Sequence, residues 1–539
     1  LVKEEHVLRA RLTKSEPSQL GGCRSNGSAY PASETAYFRR VYGSDHLHQL
    51  HDDHQEEAIY RYAYPSVRQE LESRLQQLTH LTCENDPAMT APGRSAYSIQ
   101  QLKENLSLYC RKQWRSLRWN EHYRSALRSV AADVKALLKG RRCLQPMAIS
   151  AVAASVPIQR NLDKNAGYYV FETGRRSKGE NLEDAVKWCD EHLAEICERG
   201  HYDLPLVISH RSSNSKPTSE STWKWRCRII LMQDIRALLL DGHFAVPFTE
   251  LFKDIPWGEG GMTQADVRQW VELAKGHYEC FYSSDYSKFD VSQPAWLLED
   301  VLMKVVRPCF GELSEEDELW FKAMTESYIH KDIHGFDGIY HADGCQVSGA
   351  LTTYAYNTII NEIIDRTVLL MQGCDLRKFK SLKCGDDNLT VYKYGEPWDN
   401  KKHCELIEKY FGIKTTLTED DCGWFKDKDP VFLSRTWTSN GEYRDLNQVL
   451  WNLVYPERYR DYKPEKTGVS TKRAEALVLL SAYKEQSATM RQYFRLDKLL
   501  EDAQVRWDEK EIYTALAGLG TGFKTPWLNF KFGNLKSTA

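Results

Sequence analysis

Residues 380–394, KSLKCGDDNLTVYKY, restrict the folds open to this chain more than any other stretch. Residues 379–384 and 389–392 are short runs of strand-forming types, and Gly385, Asp386, Asp387 and Asn388 between them are the types a tight reversal favours. The spacing predicts a β-hairpin with Asp386 and Asp387 together at its tip. Two adjacent carboxylates repel, and a bound Mg²⁺ turns that repulsion into attraction. The triplet alone is thin support, since a chain of this length carries a Gly-Asp-Asp by chance in roughly one case in ten. A solvated turn is the alternative, and other positions have to decide between the two.

The chain has 539 residues, enough for several lobes, and its 42% hydrophobic and 27% charged residues are those of an ordinary globular protein. No apolar run approaches the length that spans a bilayer, and the opening LVKEEHVLRARL lacks a signal-peptide layout, so a cytosolic protein is the default expectation. A first residue of Leu fits a processed polyprotein product or a trimmed chain. Fourteen cysteines, from Cys23 to Cys422, form no CxxC pair. That indicates neither a zinc site nor a disulfide framework and predicts reduced core residues. A net charge of −3 does not by itself point to nucleic acid, although an enzyme that encloses RNA needs only a basic interior.

Taken in order, residues 66–81 repeat Val67, Leu71, Leu75 and Leu78 at helical spacing, which predicts a scaffold helix. Arg111, Lys112, Arg115 and Arg118 make a basic helical patch, for phosphate or for solvent. A helix over 123–138 is stopped by Gly140. Thr173, Gly174, Arg175, Arg176, Ser177, Lys178 and Gly179 form a glycine-flanked basic loop before a helix over 182–198. Such a loop either approaches a phosphate chain or simply connects. Residues 207–240 read as two strand-like runs joined by a polar loop, with Arg211, Lys216, Lys224, Arg226 and Arg228 concentrated there. The alternation of Lys224, Arg226 and Arg228 sets three cations on one strand face, suited to a triphosphate or an RNA backbone. An edge strand protected by charge is the competing reading.

Residues 280–284 read as a strand that delivers Asp285, with Asp290 five positions later. That arrangement presents a metal ligand beside a group that reads substrate; exposed loop carboxylates are the alternative. A helix follows Pro294 to about 306. Ser348 and Gly349 suit a flexible loop, and a long helix over 351–371 carries Ala355, Ile359, Ile363 and Leu370 on one side. Thr353 and Asn357 share a face of it. An inward Asn needs a partner, and a ribose hydroxyl is a good one. Near the end, Ser439, Asn440 and Gly441 predict a hairpin, 473–483 and 491–500 are helical in pattern, and the glycine-punctuated 518–539 with Trp527, Phe530 and Phe532 reads as a docked tail or an apolar clasp.

Asp-x4-Asp, then Ser-Gly-x3-Thr-x3-Asn, then Gly-Asp-Asp, in this order, resemble motifs A, B and C of viral RNA-dependent RNA polymerases. Phe432, Leu433, Ser434 and Arg435 resemble that family's motif E, residues 224–230 its motif F, and residues 173–179 more loosely its motif G. The stretches around 285–290, 348–357 and 432–435 are similar to the picornavirus-like supergroup, which includes calicivirus, astrovirus and partitivirus types. The resemblance implies an α+β right-hand fold. Residues 1–270 would form an N-terminal extension and fingers, 271–300 the palm with motif A, 301–344 a fingers insertion, 345–445 the rest of the palm, and 446–539 the thumb and tail.

It also implies RNA-templated RNA synthesis by two-metal nucleotidyl transfer, with Mg²⁺ as cofactor and Mn²⁺ able to substitute. Carried over by position, Asp285 and Asp386 bind the metals with Asp387 assisting. Asp290, Ser348 and Asn357 read the ribose 2′-hydroxyl, with Gly349 and Thr353 in the same nucleotide-binding motif, and Arg228, Lys224 and Arg226 hold the triphosphate. The motif D lysine is out of register here. Lys426 is the candidate, with Lys414 and Lys428 as rivals. Expected partners are an RNA template and product, ribonucleoside triphosphates, and other viral replication or capsid proteins, in host cytoplasm within a replication complex or a particle. A reverse transcriptase would place a bulky aromatic where Asp290 stands, and a non-catalytic RNA-binding scaffold would have lost one of Asp285, Asp386 or Asp387.

Overall fold

The computed structural model describes residues 104–110, 114–212, 216–217, 223–224, 227–335, 338–439 and 441–443, together with strand residues 50–51, 59–60, 94–95 and 97–98. The helices expected over 66–81, 473–483 and 491–500 and the tail over 518–539 lie outside the described residues. The chain divides into two compact units.

The first unit contains the described residues of 102–210 and 229–433. Its main elements in chain order are α1 (Glu121–Ala136), α2 (Lys178–Arg199), β1 (Leu206–Ser212), β2 (Cys227–Met232), α3 (Ile235–Phe252), α4 (Gln264–His277), β3 (Cys280–Tyr286), α5 (Ala295–Asp300), α6 (Glu315–Ile329), β4 (His330–His334), β5 (Ile339–Asp343), α7 (Thr353–Met371), β6 (Phe379–Cys384), β7 (Asp387–Tyr392), α8 (Asn400–Phe411), β8 (Thr415–Thr416) and β9 (Cys422–Trp424). Strands and helices are mixed rather than regularly alternating, an α+β arrangement.

Two sheets organise this unit. In one, the order is β5, β4, β1, β2. In the other, β3 lies at the centre with β7 antiparallel on one side and β6 beyond it. On its other side β8 pairs with the Asp285–Tyr286 end of β3, and β9 pairs with its Cys280–Tyr282 end. The central strand is apolar because it is covered on both faces: Phe281 lies 5.1 Å from Phe425, and Tyr282 stacks on Trp398 at 4.6 Å.

Helix α7 is buried on nearly all sides, with Ile359, Ile360, Ile363 and Ile364 fully enclosed. Burying each such side chain contributes about 1.5–3 kcal/mol. Its polar residues have specific partners. Arg366 donates to Asp133 and Ser129 of α1, both at 2.6 Å, which ties the two helices together.

Most expected elements are present, with shifted ends. Helix α1 ends at Ala136, ahead of the left-handed Gly140. Helix α2 begins at Lys178, four residues before the expected start, because Ser177 and Glu180 form a reciprocal capping box. After Pro294 the helix does continue to Val306, but its second half is a π-helix over Val301–Val306. The basic patch near Arg118 is not helical over 114–117. Arg118 is engaged with Glu299 at 2.6 Å and Asp300 at 3.0 Å, so it serves packing, while Arg111 and Lys112 lie outside the described residues. Of ten free cysteines among the described residues, six are buried core residues as expected, while Cys384, Cys404 and Cys422 are half-buried and Cys143 is exposed.

The second unit includes short two-stranded pieces: Leu50–His51 beside Tyr97–Ser98, Ile59–Tyr60 with Arg94–Ser95, and Lys216–Pro217 with Trp223–Lys224. In it, Arg435–Thr438 pairs antiparallel with Gly441–Tyr443, the hairpin expected around Ser439.

Candidate active site

Asn388 of β7 stands opposite Ser284 of β3. One further step along that register sets Asp387 opposite Asp285. Across the hairpin Cys384 pairs with Asp387, so the reversal is the two residues Gly385 and Asp386. Gly385 has φ of +64°, a conformation glycine adopts without steric cost at the first central position of such turns. The turn is therefore tighter than a four-residue reversal, and Asp387 and Asn388 belong to the strand. Asp285 and Asp386 are exposed and Asp387 is half-buried. Burial, then the charges of Asp386, Asp285 and Glu259, push the Asp387 carboxyl up to about 7.

Glu259 is a carboxylate that no motif spacing singled out. The segment after α3 lies along β6: Lys383 N–H donates to the Trp257 carbonyl at 2.8 Å, and Glu259 N–H donates to the Lys383 carbonyl at 2.9 Å. Burial raises the Glu259 carboxyl as well. The nearby glycines were the available sequence signal, since a Cβ at Gly260 would stand 2.4 Å from the Tyr354 ring.

Helix α7 holds the Gly385–Asp386 turn directly. Gly385 N–H donates to Thr358 Oγ1 at 2.9 Å. Asn361 Nδ2 donates to the carbonyls of Gly385, Asp386 and Asp387 at 3.0, 3.2 and 3.4 Å, while its Oδ1 accepts from the Tyr286 hydroxyl at 3.3 Å. Thr358 and Asn361 were not singled out from the sequence. Their signal was a polar stripe within an apolar helix, Asn357, Asn361 and Asp365 beside Thr358, Glu362 and Arg366, each four apart.

The same helix reaches the second aspartate of the Asp-x4-Asp pair. Asn357 Nδ2 donates to Asp290 Oδ1 at 2.8 Å, and the buried Gln293 donates to Asn357 Oδ1 at 2.5 Å. Asp290 lies in the short helix Phe289–Ser292. Ser348 Oγ accepts from Leu231 N–H of β2 at 2.9 Å, and a Cβ on Gly349 would lie 2.5 Å from the Leu231 carbonyl, so glycine is required where that loop crosses the strand. The Thr353 hydroxyl turns back to its own loop, toward the carbonyls of Val347 at 2.6 Å and Ala350 at 2.9 Å.

Three lysines compete for the motif D position. Lys426 is exposed over the Trp424 ring at 4.9 Å, and Trp424 pairs with Cys280 at the opposite end of β3 from Asp285, about 17 Å along a strand. Lys428 donates to the Glu419 carbonyl at 2.6 Å. Lys414 is exposed, and its carbonyl accepts from Ser287 N–H at 2.8 Å, just past Asp285. Of the three, the sheet register brings Lys414 to the carboxylate end.

Lys224 and Arg228 fall in the strands Trp223–Lys224 and Cys227–Met232, and Arg226 lies outside the described residues. The loop after Thr173 is closed by Asn181, which donates to the carbonyls of Arg175 at 2.9 Å and Ser177 at 2.8 Å, and Arg175 pairs with Asp184.

The donor set suits a hard divalent cation: carboxylates only, from two strands and a turn, with one of them raised by burial and by its like-charged neighbours. Among the described residues no three His, Cys, Asp or Glu side chains are grouped closely enough to hold a metal ion as they stand.

A sequence profile described as viral RNA-dependent RNA polymerase matches residues 79–493. The chain is similar to genome polyproteins of three human rhinoviruses. It is 27% identical to that of rhinovirus 1A over 286 residues, covering 51% of this chain and 12% of the polyprotein. It is 23% identical to that of rhinovirus C strain C15 over 385 residues, covering 68% and 16%. It is 31% identical to that of rhinovirus 14 over 199 residues, covering 36% and 7%. The chain thus spans less than a fifth of each of these relatives.

The crowding at Asp387 has a thermodynamic consequence. A carboxyl raised in the folded state contributes stability below its unfolded value, about 4, that is lost as pH rises through about 7. In chelator-treated protein, Asp387→Asn is expected to gain melting temperature over the parent progressively between those pH values, and then level off. Thermal denaturation across pH measures this, and a constant difference between the two proteins would contradict it.

Proposed function

Because the chain belongs to the viral RNA-dependent RNA polymerase family, of the picornavirus-like supergroup, we propose that it copies an RNA template into RNA from ribonucleoside triphosphates by two-metal nucleotidyl transfer. One observation carries the reading: the strand register that sets Asp387 opposite Asp285, with Asp386 at the adjoining turn.

In this reading Asp285, Asp386 and Asp387 hold divalent cations, Mg²⁺ or Mn²⁺. Bound there, such ions lower the barrier by activating a primer hydroxyl and neutralising charge on the transferring phosphoryl group. Asp290 and Asn357, already joined by a hydrogen bond, receive the ribose hydroxyls. Gln293 keeps the Asn357 amide oriented so that its nitrogen faces Asp290. Ser348 retains its own hydrogen to donate while its oxygen accepts from Leu231. Arg228, with Lys224 and Arg226, binds the triphosphate. Lys414 supplies the proton to the departing pyrophosphate, a role its place beside the Asp285 end of β3 favours over Lys426.

The sheet around β3 is read as the palm of a right-hand fold spanning 271–300 and 345–445, with fingers over 1–270 and 301–344 and thumb over 446–539. Template and product RNA are the macromolecular partners. The polyprotein relatives support a viral setting in host cytoplasm, within a replication complex or a particle, with other viral replication or capsid proteins nearby. A reverse transcriptase is disfavoured by the polar Asp290–Asn357 pair, which suits a 2′-hydroxyl and stands where such an enzyme has a bulky aromatic.

Purified protein with Mg²⁺ or Mn²⁺ is expected to extend or copy an RNA template, assayed with and without primer, and Asp386→Asn to reduce product below detection. Full activity in that variant would refute the metal assignment. Asp290→Ala is expected to lower the preference for ribo- over deoxyribonucleotides, measured by competing the two substrates; unchanged discrimination removes the ribose role. Lys414→Ala should slow turnover more than Lys426→Ala at saturating nucleotide, and the reverse order would return the proton-donor role to Lys426.

A further inference from the structure

Beneath the carboxylates lies a buried ionic chain that the reading above does not use. Lys383 is 0% exposed, near the end of β6, the outermost strand of the sheet, where the 257–259 segment covers it. Its ammonium donates to Asp365 Oδ2 at 2.6 Å and to Asn388 Oδ1 at 2.6 Å, with Glu362 Oε2 at 3.7 Å. Asn388 Nδ2 donates onward to Ser284 Oγ at 2.8 Å. Asp365 is fixed in turn, accepting from the Tyr282 hydroxyl at 2.6 Å and the Thr390 hydroxyl at 2.9 Å. Enclosing a lysine and an aspartate in an apolar sheet requires desolvating both, and a well-packed apolar pair of the same volume is often as stable. Such a pair is better explained by what it specifies than by stability.

The ends of the chain indicate what is specified. Asn388 follows Asp387 directly, and Ser284 directly precedes Asp285. The anchor at the other end, Asp365, sits on α7, eight residues past Asn357 and four past Asn361, which holds the turn carbonyls. One connected set of hydrogen bonds therefore runs from the nucleotide-facing helix to the residues next to both metal-binding strand positions. We propose that Lys383 is a positioning residue: held by Asp365, it sets through Asn388 and Ser284 the spacing of the two strands that bear Asp285 and Asp387. It touches neither substrate nor cation, and the proposal rests on reading those carboxylates as the cation site.

The test uses the full chain and Mn²⁺ as probe, with binding followed by calorimetry. Lys383→Met alone strands the Asp365 charge and is expected to destabilise the fold. Lys383→Met with Asp365→Asn removes both charges, keeps one oxygen to accept from Tyr282, and leaves Thr390 its second acceptor, Asn388 Oδ1, at 2.8 Å, so it should melt near the parent. In that double variant Mn²⁺ affinity should fall about 10–100-fold, as for loss of other groups that orient metal ligands. Template-copying kcat should fall with it while KM for nucleotide is held. Ser284→Ala, a small change at the far end of the chain, should lower Mn²⁺ affinity severalfold. Parent-like Mn²⁺ affinity in Ser284→Ala, or in a folded double variant, overturns the proposal while leaving the cation site intact. If the parent itself binds Mn²⁺ no better than Asp386→Asn does, the cation-site reading fails and the positioning role falls with it.

Discussion

Asp285 and Asp387 lie one step beyond the paired Ser284 and Asn388 and Asp386 occupies the adjoining turn, so three carboxylates of one sign are concentrated at one end of a sheet. Two unit charges about 4 Å apart repel by about 4 kcal/mol at an effective dielectric of about 20. The Asp387 carboxyl is raised first by its burial and then by that crowding. An isolated hairpin would relieve it by fraying. Here the turn is clamped by Thr358 and Asn361, the opposite strand is tied to the same asparagine through Tyr286, and the strands below are joined by Lys383 and Asn388.

Helix α7 is the shared part. Asn357 at one level meets Asp290, Thr358 and Asn361 at the next hold the turn, and Asp365 lower down anchors Lys383. Asn357, Asn361 and Asp365 recur every four residues, so one rigid rod relates the Asp290–Asn357 pair to the carboxylates. A movement of the helix is felt at both. Packing of its isoleucines against the core and the Arg366 ties to α1 resist such movement.

Much of this was legible in the residues. The hairpin, the strand ending at Asp285, the long helix after Gly349 and the Ser439 turn were all readable from alternation, helical spacing and turn chemistry. The differences have definite causes. The hairpin turn is shorter than the run of turn-forming residues because Asp387 and Asn388, poor strand formers, are held in register by β6 and, for Asn388, by β3. Helix α2 starts early because a capping box outweighed the loop character of Ser177 and Lys178. Arg118 was grouped with solvent or phosphate, yet its partners Glu299 and Asp300 lie far along the chain. Lys383 looked like one more charge on a strand, and nothing local distinguishes a lysine facing solvent from one facing Asp365.

The sequence by itself determined the local vocabulary of this protein: which segments reverse, which extend, which coil, and in what order the acidic and amide side chains follow one another. Those properties depend on residues within a few positions of each other. Only the tertiary structure decided which carboxylates meet, that Glu259 approaches them, that Lys414 rather than Lys426 lies at their end of β3, and that the buried lysine links both strands. Each of these follows from strand register and helix placement. A shift of one residue reverses which face a side chain occupies, and contacts between segments some hundred residues apart set that shift.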